Sequence, residues 1–144
     1  MSAAARLYTP ELLALAVELA NVPPLDAADA RGEARSVTCG STLAMDVTLD
    51  DQQRIARLGM RVRACAVGQA AAAIFARHAP GRDLADIADA LGLLESWLRG
   101  EGEAPPWPDL DLLAPARAYP ARHGALLLPW KAAFSALSTV AAAS

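Results

Sequence analysis

Cys39, in the run Val37-Thr38-Cys39-Gly40-Ser41, and Cys65, in Arg63-Ala64-Cys65-Ala66-Val67-Gly68-Gln69, are the two thiols of this chain. A thiolate is a nucleophile and a soft metal ligand, so two brought together can hold zinc, iron or an iron-sulfur unit, or carry sulfur as a persulfide. Free cysteine is more often a small buried hydrophobe, but position argues for chemistry here. Cys39 precedes Gly40 at a bend between two strands, and Cys65 stands where a strand gives way to a helix. Both are places where free backbone amides and a helix dipole lower a thiol's pKa. In a reducing compartment the pair reads as thiols and not as a disulfide.

Other polar groups read more plainly. Asp46, Asp50 and Asp51 cluster at a strand end, where carboxylates are ordinarily solvated turn residues. His78 closes a helix and suits the negative end of its dipole. Trp130 reads as core packing.

The elements that must position the cysteines follow from capping and period. Thr9, Pro10 and Glu11 open a first helix that runs to about Ala20, with Asn21 and Pro23-Pro24 stopping it. A loop over residues 26–33 enters a first strand near residues 34–38. In Thr42–Leu49, Leu43, Met45, Val47 and Leu49 alternate with Thr42, Ala44, Asp46 and Thr48, the pattern of a half-buried antiparallel strand. Leu58, Met60, Val62 and Ala64 alternate with four polar or small residues to give its partner over residues 54–64. Beyond Cys65 the period changes to that of an alanine-packed helix over residues 66–78, closed by Pro80-Gly81. Asp83 caps a segment ending near Leu91, a second short helix spans residues 93–99, and an amphipathic piece lies around residues 110–114. The last helix opens near Pro120 and runs to about Ala142, bent by Pro129. Strands first and helices after make an α+β domain: a small antiparallel sheet of about three strands with helices packed on one face.

The 144 residues fit one domain, 1–144, able to bury its own core without a structural metal. Composition is 54% hydrophobic with mean hydropathy +0.23, yet no run reaches the roughly 20 uninterrupted apolar residues of a membrane span. Arg6 is the one charged side chain before Pro10 and Glu11, and Glu18 interrupts the apolar run that follows, so the regions of a signal peptide are not laid out. A soluble, cytoplasmic chain with no membrane partner is expected. Net charge is -3, and the basic residues are scattered along the chain, which argues against nucleic acid.

With a downstream Pro-Ala-Arg segment, the two cysteines resemble the iron-sulfur cluster assembly scaffolds of the NifU/IscU/SufU type. There a first metal-binding cysteine stands in a Cys-Gly-Asp turn, and this chain has Cys39-Gly40-Ser41. A second opens a helix of small residues, here Cys65 and the alanine run after Gln69. The third, in the SufU branch, follows Pro-Ala-Arg and precedes Trp-Lys-Ala. Here Pro120-Ala121-Arg122-His123-Gly124-Ala125 and Trp130-Lys131-Ala132 keep that frame with Ala125 at the third cysteine's place. The spacing from Cys65 to Ala125 also resembles the SufU branch, and the likeness runs over residues 7–137.

The resemblance implies a SufE/NifU-like fold, a zinc or iron-sulfur cluster as bound group, and a cysteine desulfurase with other assembly proteins as partners. It also implies a site two donors short. Tetrahedral zinc takes four donors, whereas Ser41 replaces the carboxylate and Ala125 removes a thiolate. Cys39 and Cys65 remain, with His123 as a nitrogen donor or else a surface residue at the helix start, and Ser41 a turn residue before it is a ligand. Arg122 is either a cation favouring thiolate or a paired surface arginine. Three functions stay open: a carrier binding iron, zinc or a nascent cluster through Cys39 and Cys65, its donors completed across a homodimer; a persulfide-accepting sulfurtransferase; or an interaction module that kept the fold with no bound group.

Overall fold

The computed structural model describes residues 7–143. Arg6 and the residues before it, on which the signal-peptide reading partly rests, lie outside that range. Helix α1 (Pro10–Glu18) begins as its residues require: the Thr9 hydroxyl accepts from the Leu12 amide at 3.1 Å and Pro10 fills the first turn. A 3₁₀ turn over Leu19–Asn21 ends it. Three strands follow, β1 (Ala30–Arg35), β2 (Thr42–Leu49) and β3 (Ile55–Arg63), in one antiparallel sheet ordered β1-β2-β3. Then come α2 (Ala66–His78), α3 (Leu84–Leu98), 3₁₀ segments at Leu110–Ala118 and Pro120–Arg122, and α4 (His123–Ala143).

Helix α4 lies on β1 and β2 with α2 and α3 against it, and α1 packs on α2. Leu43, Met45, Val47 and Met60 point into this layer and are buried, as the alternation of β2 and β3 dictates. The seam between α4 and β1 is tight. A Cβ on Gly32 would sit 2.3 Å from the Ala132 carbonyl oxygen and 2.4 Å from the Ala136 nitrogen, so only glycine lets the two backbones approach this far. Although Pro120–Ala142 is long and apolar enough to cross a membrane, Ala125, Leu126, Leu128, Trp130, Ala132, Ala133 and Ala136 are buried within the fold.

Three expectations are corrected. The first strand is Ala30–Arg35 and not residues 34–38: Val37 is 92% exposed in the connection to β2. Its inward residues are Ala30, Gly32 and Ala34, small because α4 sits close, so the strand lacks the large apolar alternation that marks β2. The two helices placed at residues 83–91 and 93–99 are one, α3, capped by Asp83 and Asp86 exchanging hydrogen bonds. Gly92 inside it is exposed and meets no neighbour, so it costs the helix about 1 kcal/mol of propensity and does not break it. The piece around residues 110–114 extends as a 3₁₀ segment to Ala118.

Candidate functional site

The connection between β1 and β2 is six residues, 36–41, closed by two backbone bonds: the Ser36 amide donates to the Ser41 carbonyl and the Gly40 amide to the Ser36 carbonyl, both at 2.8 Å. Gly40 has φ +72°, a left-handed conformation glycine adopts without strain. The turn presents Cys39 to solvent while burying Ser36 and Ser41 beneath it. Their hydroxyl oxygens lie 3.4 and 2.9 Å from Sγ. Turned to donate, the Ser36 and Ser41 hydroxyls, with the Ser41 backbone amide, hold the Cys39 thiol below its usual range. Partial burial opposes them and the Arg122 charge adds to them. Exposed and tipped toward thiolate, Cys39 has the surroundings of a reactive cysteine.

Cys65 is the N-cap of α2, with extended backbone (φ -66°, ψ 172°) and its carbonyl accepting from the Gln69 amide at 3.0 Å. Gln69 also reaches back through Nε2 to the Ala64 carbonyl at 2.8 Å. The Cys65 thiol takes no part in the cap; it is half-buried and packed on the core. The two cysteines stand at one end of the sheet, because Thr42, just after the Cys39 turn, pairs with Arg63, just before Cys65.

The start of α4 completes that end. Gly124 lies against the Cys39 turn, where a Cβ would be 2.3 Å from Ser36 Oγ. Ala125, fully buried, faces the first turn of α2: a Cβ on Gly68 would be 3.3 Å from the Ala125 Cβ. The start of α4 thus touches both cysteine-bearing segments, through Gly124 on one side and Ala125 on the other. The Ala125 carbonyl also lacks the usual helical donor, since Pro129 stands four residues on.

His123 is turned elsewhere. Its Nε2 lies 3.0 Å from the Arg117 carbonyl, which only accepts, so that nitrogen carries the proton. Among the described residues, no three or more His, Cys, Asp and Glu side chains gather where they could hold a metal. The aspartates are structural: Asp46, buried, accepts from the Leu25 amide (3.1 Å) and Arg31 Nε (3.0 Å), and Asp50 accepts from the Gln52 and Arg54 amides in the β2–β3 turn. His78 pairs with Asp109 at 2.7 Å. Trp130 is buried edge-on to Phe75 and Trp107. Ser36 went unremarked in the sequence, where its one signal was a hydroxyl three residues before a cysteine in a short connection.

The fold aligns along nearly its whole length with solved structures. A NifU-like protein (N-terminal) from Brucella abortus matches with TM-score 0.89 and 26% identity, covering 99% of this chain and 100% of that one. A protein described as an iron-sulfur cluster assembly scaffold for the SUF system, from Fervidobacterium islandicum, matches with TM-score 0.74 and 20% identity, covering 91% and 96%. No protein-family model and no curated protein matches the sequence. The three-stranded α+β fold is shared with these structures, and the likeness supports the resemblance of the cysteine and Pro-Ala-Arg motifs to the NifU/IscU/SufU type.

Proposed function

We propose that this chain is an iron-sulfur assembly carrier of reduced donor count, in which Cys39 and Cys65 hold an iron, zinc or nascent-cluster cargo, with a cysteine desulfurase as the source of sulfur and other assembly proteins as partners. The observation that carries this reading is convergence: the Cys39 turn, the Cys65 cap and the start of α4 at Gly124 and Ala125 come together at one end of the sheet. The scaffold function named for the Fervidobacterium protein supports it.

The residues present do not make a resident four-donor zinc site. Among the described residues no third metal-binding side chain gathers with the two thiols, Ser41 offers a neutral hydroxyl, and His123 has only Nδ1 free of its bond to Arg117. A small cluster takes four sulfurs, so two chains, or one chain with small thiols, would complete it. The roles divide accordingly. Cys39, exposed and tending to thiolate, meets the cargo first, and Cys65, fixed at a helix cap, gives the second anchor.

Anaerobic reconstitution with iron and sulfide tests the reading through charge-transfer absorption and iron per chain, both of which should be lost in Cys39→Ser and Cys65→Ser. Zinc competition against a chelator tests the donor count. Ala125→Cys with Ser41→Asp should bind zinc far more tightly than the parent, and more than either change alone, because two charged donors join two already placed. Equal affinity in parent and double variant would show that the cysteines do not frame a metal site.

A second reading rests on Cys39 alone. As a thiolate it would attack the outer sulfur of a desulfurase persulfide; the S–S bond breaks, the desulfurase thiolate leaves and takes up a proton, and Cys39 keeps the sulfur as its own persulfide. Mass spectrometry after incubation with a desulfurase and cysteine would show one added sulfur on Cys39, absent in Cys39→Ser.

A further inference from the structure

The sheet face turned away from the helices gathers arginines that lie far apart in the chain. Register sets Arg35 opposite Thr42 and Thr42 opposite Arg63, so one row across the sheet reads Arg35, Thr42, Arg63; the next reads Glu33, Ala44, Arg61. The two rows line a cleft of about 400 Å³. In the following row Arg31 is paired with Asp46 at 3.0 Å. Arg35, Arg61 and Arg63 are exposed and make no ion pair among the described residues. The cleft therefore sets three guanidinium groups against one carboxylate in a chain of net charge -3. Like charges gathered on one face without carboxylate partners make a positive patch, which an anionic partner neutralises.

We propose that this cleft docks an extended, carboxylate-rich segment of a protein partner. Arg35 and Arg63 lie on the two outer strands, about 10 Å apart at the backbone, so they offer separate forks and not one convergent cradle. Each guanidinium matches a carboxylate bidentately. An extended segment repeats its same-side residues about every 6.6 Å, close enough for successive acids to meet successive arginines. Thr42 and Ala44 are short and let that backbone lie low. Glu33 repels a dense polyanion such as a phosphate backbone or a lipid headgroup layer, yet leaves room for spaced carboxylates. The location adds a consequence: Arg35 adjoins the Cys39 turn and Arg63 precedes Cys65 by two residues, so a segment held here brings its owner to the cysteines.

Fluorescence anisotropy of a labelled peptide of alternating glutamate and serine, added to metal-free protein at low salt, tests this. Saturable binding is expected, weakening as salt rises. Arg35→Ala/Arg61→Ala/Arg63→Ala should lose affinity on the order of tenfold or more, and Arg61→Glu alone should weaken it in the same direction. Arg99→Ala, remote from the cleft, should match the parent. Cys39→Ser/Cys65→Ser should also bind as the parent does, which separates this surface from the thiol chemistry. Thermal melting of the triple variant at the parent temperature shows that the fold is kept. Absent binding by the parent, undiminished binding by the triple variant, or tighter arginine-dependent binding of pyrophosphate, single-stranded DNA or phosphatidylglycerol vesicles would each overturn the proposal.

Discussion

Cys39 and Cys65 carry the same side chain at the same end of one sheet, and the protein treats them differently. Cys39 rides an exposed turn whose buried side holds two hydroxyls against its sulfur. Cys65 is fixed through its backbone as the cap of α2, with its thiol half-buried on the core and outside the cap's hydrogen bonds. One is prepared by polar neighbours while the other is held in place by packing. The sequence offers Cys65 a helix start, whereas the fold supplies Cys39 with hydroxyls within reach of its sulfur.

The largest break in that contrast should come from alkylation. At neutral pH iodoacetamide should modify Cys39 faster than Cys65 by on the order of tenfold, and Cys39→Ser should abolish the fast phase while Cys65→Ser leaves it. Comparable rates for the two thiols would remove the basis for assigning them different roles.

Next in size is removal of the hydroxyls. A lowered thiol pKa means that the reactive thiolate is present at lower pH, so the pH midpoint of Cys39 alkylation should fall below the ordinary thiol range of about 8.5. Ser36→Ala with Ser41→Ala should move that midpoint upward and cut the neutral-pH rate roughly threefold to tenfold, the cost of two charged-group hydrogen bonds in contact with solvent. Ser41→Asp alone should also move it upward, because a carboxylate beside sulfur opposes thiolate in the metal-free protein.

On the Cys65 side the sensitive quantity is packing. A Cβ on Gly68 would lie 2.7 Å from the Ala64 Cβ, a rigid neighbour, and 3.3 Å from that of Ala125. Gly68→Ala should therefore cost about 1–3 kcal/mol of stability, read as a lower denaturation midpoint, with the Cys39 alkylation profile unchanged. A shifted profile would show that the two segments are coupled and not merely adjacent.

The smallest effect belongs to Arg122, the last of the influences on Cys39. Arg122→Ala should slow alkylation by less than about twofold at physiological ionic strength, a difference that added salt erases.

What the sequence determined by itself was local. The alternation of Leu43, Met45 and Val47 against polar neighbours carries β2 with its buried face, Thr9 and Pro10 carry the start of α1, and the cysteine and Pro-Ala-Arg motifs carry the resemblance that the fold supports. These signals survive because they depend on a period, or on residues within a turn of one another. The sequence pattern breaks at Gly92 within α3 and misses the start of β1 for the converse reason: an exposed glycine is tolerated where packing sustains the helix, and an all-small inward face registers only once α4 lies on it. Tertiary structure alone decided that Ser36 reaches Cys39, that His123 turns to Arg117, and that the start of α4 touches both cysteine-bearing segments. It also decided that arginines scattered in the sequence share one face. Strand register sets residues nearly thirty apart, such as Arg35 and Arg63, in one row on either side of Thr42, an arrangement that no local pattern encodes.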